Sequence, residues 1–114
     1  MTDTTVFKIV AAEEWAAARA AGTYAGSAVD LADGYIHLST ADQLAGTARR
    51  HYAGGRGLRL LEVDLGALDA VRWEASRGGE LFPHQYGPLP VAAVRVDRPL
   101  AVTDDGDMLL GEAV

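Results

Sequence analysis

The segment Arg72 to Pro90, RWEASRGGELFPHQYGPLP, constrains the fold of this chain more than any other stretch. Glycine and proline recur through it, at Gly78, Gly79, Pro83, Gly87, Pro88 and Pro90. Proline lacks the backbone N–H that helices and sheet ladders use, so the pattern forbids a long helix or a central strand. The segment also carries several reactive side chains, namely Arg72, Glu74, Arg77, Glu80, His84 and Tyr86. It is therefore predicted to be an ordered loop that builds a site.

The length of 114 residues predicts one domain, because a chain of this size buries a single core. Its formal charge of −6 is unevenly placed, and four acids fall in the last eleven residues: Asp104, Asp105, Asp107 and Glu112. Residues 1–103 carry 12 acids against 10 bases, a balance of −2. We expect a single α+β domain over residues 1–103 and an acidic C-terminal tail over residues 104–114.

Composition also excludes several classes of protein. The chain has no cysteine, so a disulfide framework, a thiolate metal site and a cysteine nucleophile are impossible. No apolar run reaches the roughly 20 residues that span a bilayer, and the N-terminus lacks the pattern of a signal peptide. We therefore expect a cytoplasmic protein without membrane contact. The negative charge argues against a nucleic-acid partner, and the oligomeric state stays open.

Hydrophobic periodicity predicts two main helices and five strands. The first helix follows the strand Thr5 to Val10 and ends at Gly22, and the second starts at the capping box TADQ from Thr40. The other strands are predicted over Tyr35 to Ser39, Leu58 to Leu65, Val71 to Glu74 and Val94 to Leu100, the last ending at Pro99. Thr23 to Gly34 is predicted to be a loop. This order predicts a small α+β domain with a bent or split mixed β-sheet, not a doubly wound fold.

Alternation along Tyr35 to Ser39 separates His37 from its two apolar neighbours. His37 and Ser39 therefore share one face of the strand, and Thr40 follows directly. His37 is then either a buried structural histidine or the floor of a cleft. Lys8, which also lies between two apolar residues, is either solvated or directed into the same cleft.

The run Arg77-Gly78-Gly79-Glu80 is predicted to bind an anion. Its two glycines permit positive φ angles and let backbone N–H groups approach a ligand beside the guanidinium group. The alternative is a surface turn in which Arg77 and Glu80 form a weak ion pair.

Ring side chains alternate along Phe82, His84 and Tyr86. The rings of Phe82 and Tyr86 can stack on a planar ligand while His84 exchanges a proton with it. The alternative is a rigid plug over the end of the sheet, with the Tyr86 hydroxyl bonded to backbone.

A metal site is a minor alternative for the same residues. It would combine two histidines and one carboxylate, His37 and His84 with Glu74 or Glu80. No local metal-ligand spacing supports it, so we expect no metal.

Three other side chains are assigned structural roles. Trp15 and Trp73 are predicted to be core anchors, because large aromatic residues are mostly buried. His51 follows two arginines near the end of a helix and is predicted to complement the helix dipole.

Three ordered motifs, FKIVAAEEW, DGYIHLSTADQ and RWEASRGGELFPHQYGPLP, cover about residues 5 to 100. Together they closely resemble a family of small bacterial proteins known as domain of unknown function 952. The layout FKIV, tryptophan, glycine and YIHLS is also distantly similar to RNA 2′-phosphotransferases, and through them to the ADP-ribosyl fold. In that likeness His37 matches the second histidine of His-Ile-His-Leu, LFPHQY matches a Pro-x-x-Tyr region, and Lys8 replaces the histidine of His-Gly-Thr. The resemblance implies an ADP-ribosylation-like fold that grips NAD in a cleft.

Our first hypothesis is a small ADP-ribosyl-type transferase whose partner is NAD, another phosphorylated nucleotide or another anionic small molecule. The predicted catalytic residues are His37, Glu80 and His84. The predicted ligand-binding residues are Lys8, Ser39, Thr40, Arg77, Gly78, Gly79, Phe82 and Tyr86. The alternatives are a non-catalytic binding or interaction module that kept the cleft, and a metal-dependent hydrolase.

Overall fold

Residues 4–111 of the computed structural model, apart from the side chain of Arg77, describe an α+β arrangement of three helices and nine strands. The helices are α1 (Ala12–Ala21), α2 (Ala28–Asp33) and α3 (Ala41–His51). The first strands are β1 (Thr5–Ala11), β2 (Thr23–Tyr24), β3 (Ile36–His37), β4 (Leu58–Asp64) and β5 (Val71–Ala75). The remaining strands are β6 (Leu81–Gln85), β7 (Leu89–Pro90), β8 (Val94–Val102) and β9 (Met108–Leu110). None of these helices has the length and apolar character that crossing a membrane requires.

The strands form three sheets, in the orders β1-β4-β8-β9, β3-β6-β5 and β2-β7. Phe7 of β1 and Ser39 link the two larger sheets, because each backbone N–H donates to the other residue's carbonyl, at 2.7 and 2.9 Å. Every strand pair among the described residues is antiparallel, so the predicted mixed sheet is wrong. Short hairpins join β5 to β6 and β8 to β9, a connection that only antiparallel neighbours permit.

The predicted loop from Thr23 to Gly34 is also wrong, because it contains β2 and α2. A capping box starts α2: the Ser27 hydroxyl accepts from the Asp30 N–H, and the Asp30 carboxylate accepts from the Ser27 N–H. Aspartate replaces the usual glutamate of this motif, which hid the signal in the sequence SAVD. Residues 4–111 therefore contain one more helix than the two main helices predicted.

Two prolines lie inside strands that have neighbours on both sides, contrary to prediction. Pro83 belongs to β6, the central strand of its sheet, and Pro99 belongs to β8. The Pro83 carbonyl accepts from the Leu38 N–H at 3.1 Å, and the Pro99 carbonyl accepts from the Gly111 N–H at 2.9 Å. In an antiparallel sheet the N and C=O of one residue face the same neighbouring strand. Each proline therefore lacks its N–H on the side of a strand that has just ended, β3 beside Pro83 and β9 beside Pro99. The ladder on the other side stays intact.

The turn after β8 requires glycine at position 106. Gly106 has φ +93°, and a Cβ there would lie 2.6 Å from Cγ of Arg49 on α3. This close approach lets Met108–Leu110 pair with β8 as β9. Residues 112–114 of the predicted tail lie outside the described residues, and its boundary at residue 104 stays a prediction.

Two apolar clusters lie on opposite faces of the largest sheet. One includes Val6, Val10, Leu61 and Val63 with Trp15 and Ala18 from α1. The other includes Ile9, Leu60, Leu100 and Val102 with Leu44 and Ala48 from α3. The period-two pattern of β1 and β4 therefore divides their side chains between the two helices.

Trp15 is a core residue as predicted, whereas the prediction for Trp73 is wrong. Trp15 is 4% exposed, and its indole N–H donates to Asp97 Oδ2 at 3.2 Å. Trp73 is 42% exposed. Neighbouring residues of β5 alternate between the two faces, and the register of β5 places Trp73 opposite Pro83, on the face away from His84.

Replacing the two tryptophans separately tests this distinction. We expect Trp15→Ala to lower the free energy of unfolding by about 3 to 5 kcal/mol, because it opens a core cavity and removes the indole donor to Asp97, which then keeps only Arg59 as a side-chain donor among the described residues. Trp73→Ala is expected to cost about 1 kcal/mol or less, in keeping with a partly exposed side chain. Urea unfolding of both variants measures the difference, and equal losses would contradict the described burial.

Candidate functional site

A cleft of about 670 Å³ lies where β1, β3 and β6 approach α2 and α3. Its lining combines aromatic and aliphatic side chains with lysine, histidine and carboxylate groups. This volume falls in the range of small-molecule sites, and mixed lining of this kind is typical of them. The cleft is therefore the candidate functional site of the described residues.

The carboxylate of Asp30, which is 2% exposed, holds the wall of the cleft together. Its Oδ1 accepts from the Lys8 ammonium at 3.1 Å, from His37 Nδ1 at 2.6 Å and from the His37 backbone N–H at 3.1 Å. Its Oδ2 accepts from the Ser27 N–H and lies 2.9 Å from Lys8 Nζ. One side chain thereby connects β1, α2 and β3.

Charge balance explains how Lys8 and Asp30 remain buried together. Burial raises the pKa of Asp30, but the hydrogen bond from His37, the Lys8 charge and the Ser27 amide outweigh it, so this pKa is lowered. Burial lowers the pKa of Lys8, and attraction to Asp30 and Glu14 offsets part of that effect. Lys8 is only 5% exposed, so it belongs to the cleft wall and is not solvated.

His37 lies between two carboxylates. Its Nδ1 contacts Asp30, and its Nε2 lies 2.9 Å from Oδ2 of Asp33, the last residue of α2. Carboxylates only accept hydrogen bonds, so both ring nitrogens of His37 are directed at acceptors. His37 is 35% exposed on its side-chain surface, whereas Ile36 and Leu38 are buried, as the alternation predicted.

His84 forms a second histidine–carboxylate pair. Its Nδ1 lies 2.8 Å from Glu74 Oε1, and the Tyr86 hydroxyl donates to the same oxygen at 2.7 Å. These two hydrogen bonds, from Tyr86 first and His84 second, lower the pKa of Glu74 despite partial desolvation. The guanidinium of Arg72 lies 4.7 Å from the centre of the Tyr86 ring and adds a cation–π contact.

The ring of Tyr35 brings the two histidines into one cluster. It stacks on His84 with centroids 4.0 Å apart and lies 4.6 Å from His37. The two imidazole centroids are 5.6 Å apart, because His37 and His84 are directly paired between β3 and β6. Burial is the main cause that raises the pKa of Tyr35, followed by the charges of Asp33, Glu74 and Asp30.

The structure brings together only part of the predicted site. Lys8, His37, Ser39, Phe82 and His84 line the cleft. The Ser39 hydroxyl shares a 2.9 Å hydrogen bond with the Thr47 hydroxyl, which also lines it. His37 and His84 were predicted to belong to one site, and the structure places them side by side on β3 and β6.

The other predicted site residues lie elsewhere. Thr40 is 9% exposed and caps α3, where its hydroxyl accepts from the Gln43 N–H. Gly78, Gly79 and Glu80 are exposed in the β5–β6 hairpin and are not part of the cleft lining. Tyr86 lies behind Glu74 and also falls outside the lining. The side chain of Arg77 lies outside the described part of the chain.

Three important residues escaped the sequence reasoning. Asp30 was placed in a loop, although the Ser27–Asp30 capping box was a local signal for it. Glu74 was considered only as an alternative metal ligand, and Tyr35 was given no role. The pairing of β3, β6 and β5 brings Tyr35, His84 and Glu74 together, and a pattern within one strand does not show that.

The residues between 4 and 111 offer no group of three or more His, Asp or Glu side chains placed to hold a metal ion. Around Asp30 the reason is clear, because its oxygens already accept from Lys8, His37 and Ser27. The metal-dependent hydrolase hypothesis therefore gains no support from this cleft.

The fold and the site define a small α+β protein of antiparallel sheets whose cleft presents two carboxylate-bound histidines. The chain belongs to the family described as "Protein of unknown function (DUF952)", whose model matches residues 9–96. This confirms the family resemblance that the three sequence motifs carried. A comparison with curated proteins finds none that matches this sequence.

Two solved structures of protein CC0527 from Caulobacter crescentus are similar to this chain. The crystal structure has 46% sequence identity and a TM-score of 0.87, and the match covers 93% of this chain and 94% of that one. The solution NMR structure has 47% identity and a TM-score of 0.77, over 91% and 90% of the two chains. The architecture is therefore shared over nearly the whole chain.

Substitution of Asp30 tests its structural role. We expect Asp30→Asn to lower the free energy of unfolding by about 3 to 5 kcal/mol, because it leaves the buried Lys8 ammonium without its counter-charge. The double variant Lys8→Met/Asp30→Asn is expected to lose less than Asp30→Asn alone. Urea unfolding measures both, with Asp105→Asn as an exposed control. A double variant less stable than either single variant would contradict the pairing.

The same carboxylate predicts a pH dependence. The pKa of Asp30 is lower in the folded chain than its unfolded value of about 3.9, so its stabilisation is present above that pH. This stabilisation disappears as the pH falls through the folded pKa. We expect the stability of the wild type to fall more steeply than that of Asp30→Asn below about pH 5. Parallel unfolding curves for the two proteins would show that Asp30 is not responsible.

Proposed function

We propose that this protein is an enzyme that uses His84 for proton transfer on a small ligand bound in the cleft. We propose NAD or a related phosphorylated nucleotide as the ligand, and transfer of an ADP-ribosyl group as the reaction. One observation carries the proposal: a histidine with a side chain 4% exposed is oriented by a carboxylate and lines a cleft of ligand size.

The Glu74–His84 contact sets the chemistry of the imidazole. When Nδ1–H is donated to the carboxylate, Nε2 is left as the nitrogen that accepts a proton. Glu74 also stabilises the imidazolium that forms, and stacking on Tyr35 fixes the plane of the ring. His84 therefore has the features of a general base that becomes the acid in the reverse step.

His37 has a different role in this proposal. Both of its ring nitrogens are bound to carboxylates, and Asp33 is the partner at the surface, with 47% of its side chain exposed. A ligand hydroxyl can replace Asp33 at Nε2, whereas the buried Asp30 keeps the ring in place. His37 then positions the ligand, for example at a ribose hydroxyl.

Two features support a nucleotide as the ligand. Phe82 and Tyr35 line the cleft and supply ring surfaces for a planar group. The distant likeness to the RNA 2′-phosphotransferases and the ADP-ribosyl fold also favours a nucleotide, and it rests on the layout FKIV, tryptophan, glycine and YIHLS with the later LFPHQY. Glu80 lies outside the lining, so the catalytic carboxylate in this proposal is Glu74, acting through His84. The amide of Gly78 remains a candidate for a phosphate contact at the exposed hairpin, whereas the Gly79 N–H already donates to the Ser76 carbonyl at 2.9 Å.

Substitutions in the histidine–carboxylate pair test the proposal. His84→Gln is expected to lower kcat for NAD consumption at least about 100-fold, the usual contribution of a general base, with little change in KM. Glu74→Gln is expected to lower kcat about tenfold, because it acts only through His84. Tyr86→Phe is the matched control, since it removes one donor to Glu74 but keeps the carboxylate.

Chromatographic quantification of NAD and its products, beside calorimetric titration of NAD, provides the measurements. No heat of binding at millimolar NAD and no turnover with any acceptor would overturn the nucleotide proposal. Binding without turnover by the wild type would instead identify a non-catalytic binding module. That alternative is favoured by one observation, the occupation of both His37 nitrogens by carboxylates of the protein itself.

A further inference from the structure

One of the carboxylates that line the cleft has no hydrogen-bond or ion-pair partner among the described residues. Lys8 is paired with Asp30, and His37 is paired with Asp33. Glu14 also lines the cleft, is exposed in the first turn of α1 and has no hydrogen-bond or ion-pair partner among the described residues. Glu14 is therefore a carboxylate of the lining that remains available to a cationic group of a ligand.

A buried hydroxyl close to Glu14 also has no partner. Tyr24 lines the cleft and is 3% exposed, and its hydroxyl makes no hydrogen bond to any described residue. Leaving a buried hydroxyl unpaired is unfavourable, so such groups in native proteins call for an explanation. A ligand atom at this end of the cleft would supply the missing partner.

Glu14 acts electrostatically on both tyrosines of this part of the cleft. Burial is the first cause that raises the pKa of Tyr24 and of Tyr52, and the charges of Asp30 and Glu14 raise both further. The Lys8 ammonium lies within 3.1 Å of both Asp30 oxygens, so its direct partner is Asp30 and not Glu14.

We propose that the end of the cleft formed by Glu14, Tyr24 and Tyr52 binds a positively charged planar group of the ligand. Glu14 supplies the counter-charge, and the oxygen of Tyr24 accepts a hydrogen bond from a ligand N–H. Tyr24 is 3% exposed, so the half-buried ring of Tyr52 supplies the aromatic surface that attracts a cation. This inference rests on the proposed function, for which it specifies the charge of the ligand part that enters the cleft.

The proposal fits the size and the walls of the cleft. Phe7, Leu44 and Leu58 line it together with the polar groups, so a flat ligand meets apolar contacts as well as charge. NAD satisfies the requirement, because its nicotinamide ring is a cation and its phosphates can remain outside. A ligand with only anionic groups does not satisfy it, because it would meet Glu14 without a free cation opposite.

A series of three probes of equal shape tests the charge preference. Benzamidinium, benzamide and benzoate carry charges of +1, 0 and −1 on the same planar frame. We expect benzamidinium to bind about tenfold more tightly than benzamide, and benzoate to bind more weakly still. Calorimetry gives the affinities, and amide shifts in ¹⁵N NMR spectra locate the probe.

Two neighbouring glutamates provide a matched pair of variants. Glu14→Gln is expected to weaken benzamidinium about tenfold and to leave benzamide within about twofold. Glu13→Gln, also in the first turn of α1 but outside the lining, is expected to change neither. Tyr24→Phe is expected to weaken benzamidinium while the protein stays folded, because the removed hydroxyl has no partner.

The outcomes separate this inference from the proposed function. Equal affinity for the three probes, equal effects of Glu14→Gln and Glu13→Gln, or no probe binding would overturn the charge preference. His84→Gln is expected to retain that preference, because His84 is not part of the Glu14 end. A retained preference without NAD turnover would leave the binding inference standing and remove the enzymatic proposal. NAD turnover without a charge preference would do the reverse.

Discussion

The buried carboxylate of Asp30 is the interaction on which the site depends. An ion of this kind loses its hydration on burial, a loss that only several donors together offset. Lys8, His37 and Ser27 supply those donors from β1, β3 and the start of α2. The buried lysine, the orientation of the histidine and the position of the short helix are therefore consequences of one charge.

The second constraint is the pairing of β3 with β6, which decides the geometry of the histidines. His37 and His84 are 47 positions apart in the chain, yet they are direct neighbours across the ladder. Tyr35 fills the space beside them, and each histidine takes its own carboxylate. Backbone hydrogen bonds thereby assemble one polar cluster from two segments, residues 30–37 and residues 74–86, that are far apart in sequence.

The rule that proline is excluded from central strands gave a wrong prediction for the segment from residue 72 to 90. Pro83 does lack an N–H, as the rule requires, but the missing bond falls where β3 ends and the chain crosses to Phe7. β6 is a central strand, and the predicted loop is reduced to the hairpin around Gly78 and a short turn over residues 86–88. Part of the predicted site is therefore not in the cleft, because Gly78, Gly79 and Glu80 lie outside its lining.

The sequence by itself determined the family, the α+β class, the helices α1 and α3 with the Thr40 cap, and the face on which His37 lies. These features depend on local periodicity, capping and motif order, which neighbouring residues specify. Tertiary structure decided the antiparallel topology, the exposure of Trp73, the burial of Lys8 and the partners of both histidines. Such features depend on contacts between distant segments, and period-two alternation fixes the face of a strand without fixing what covers that face.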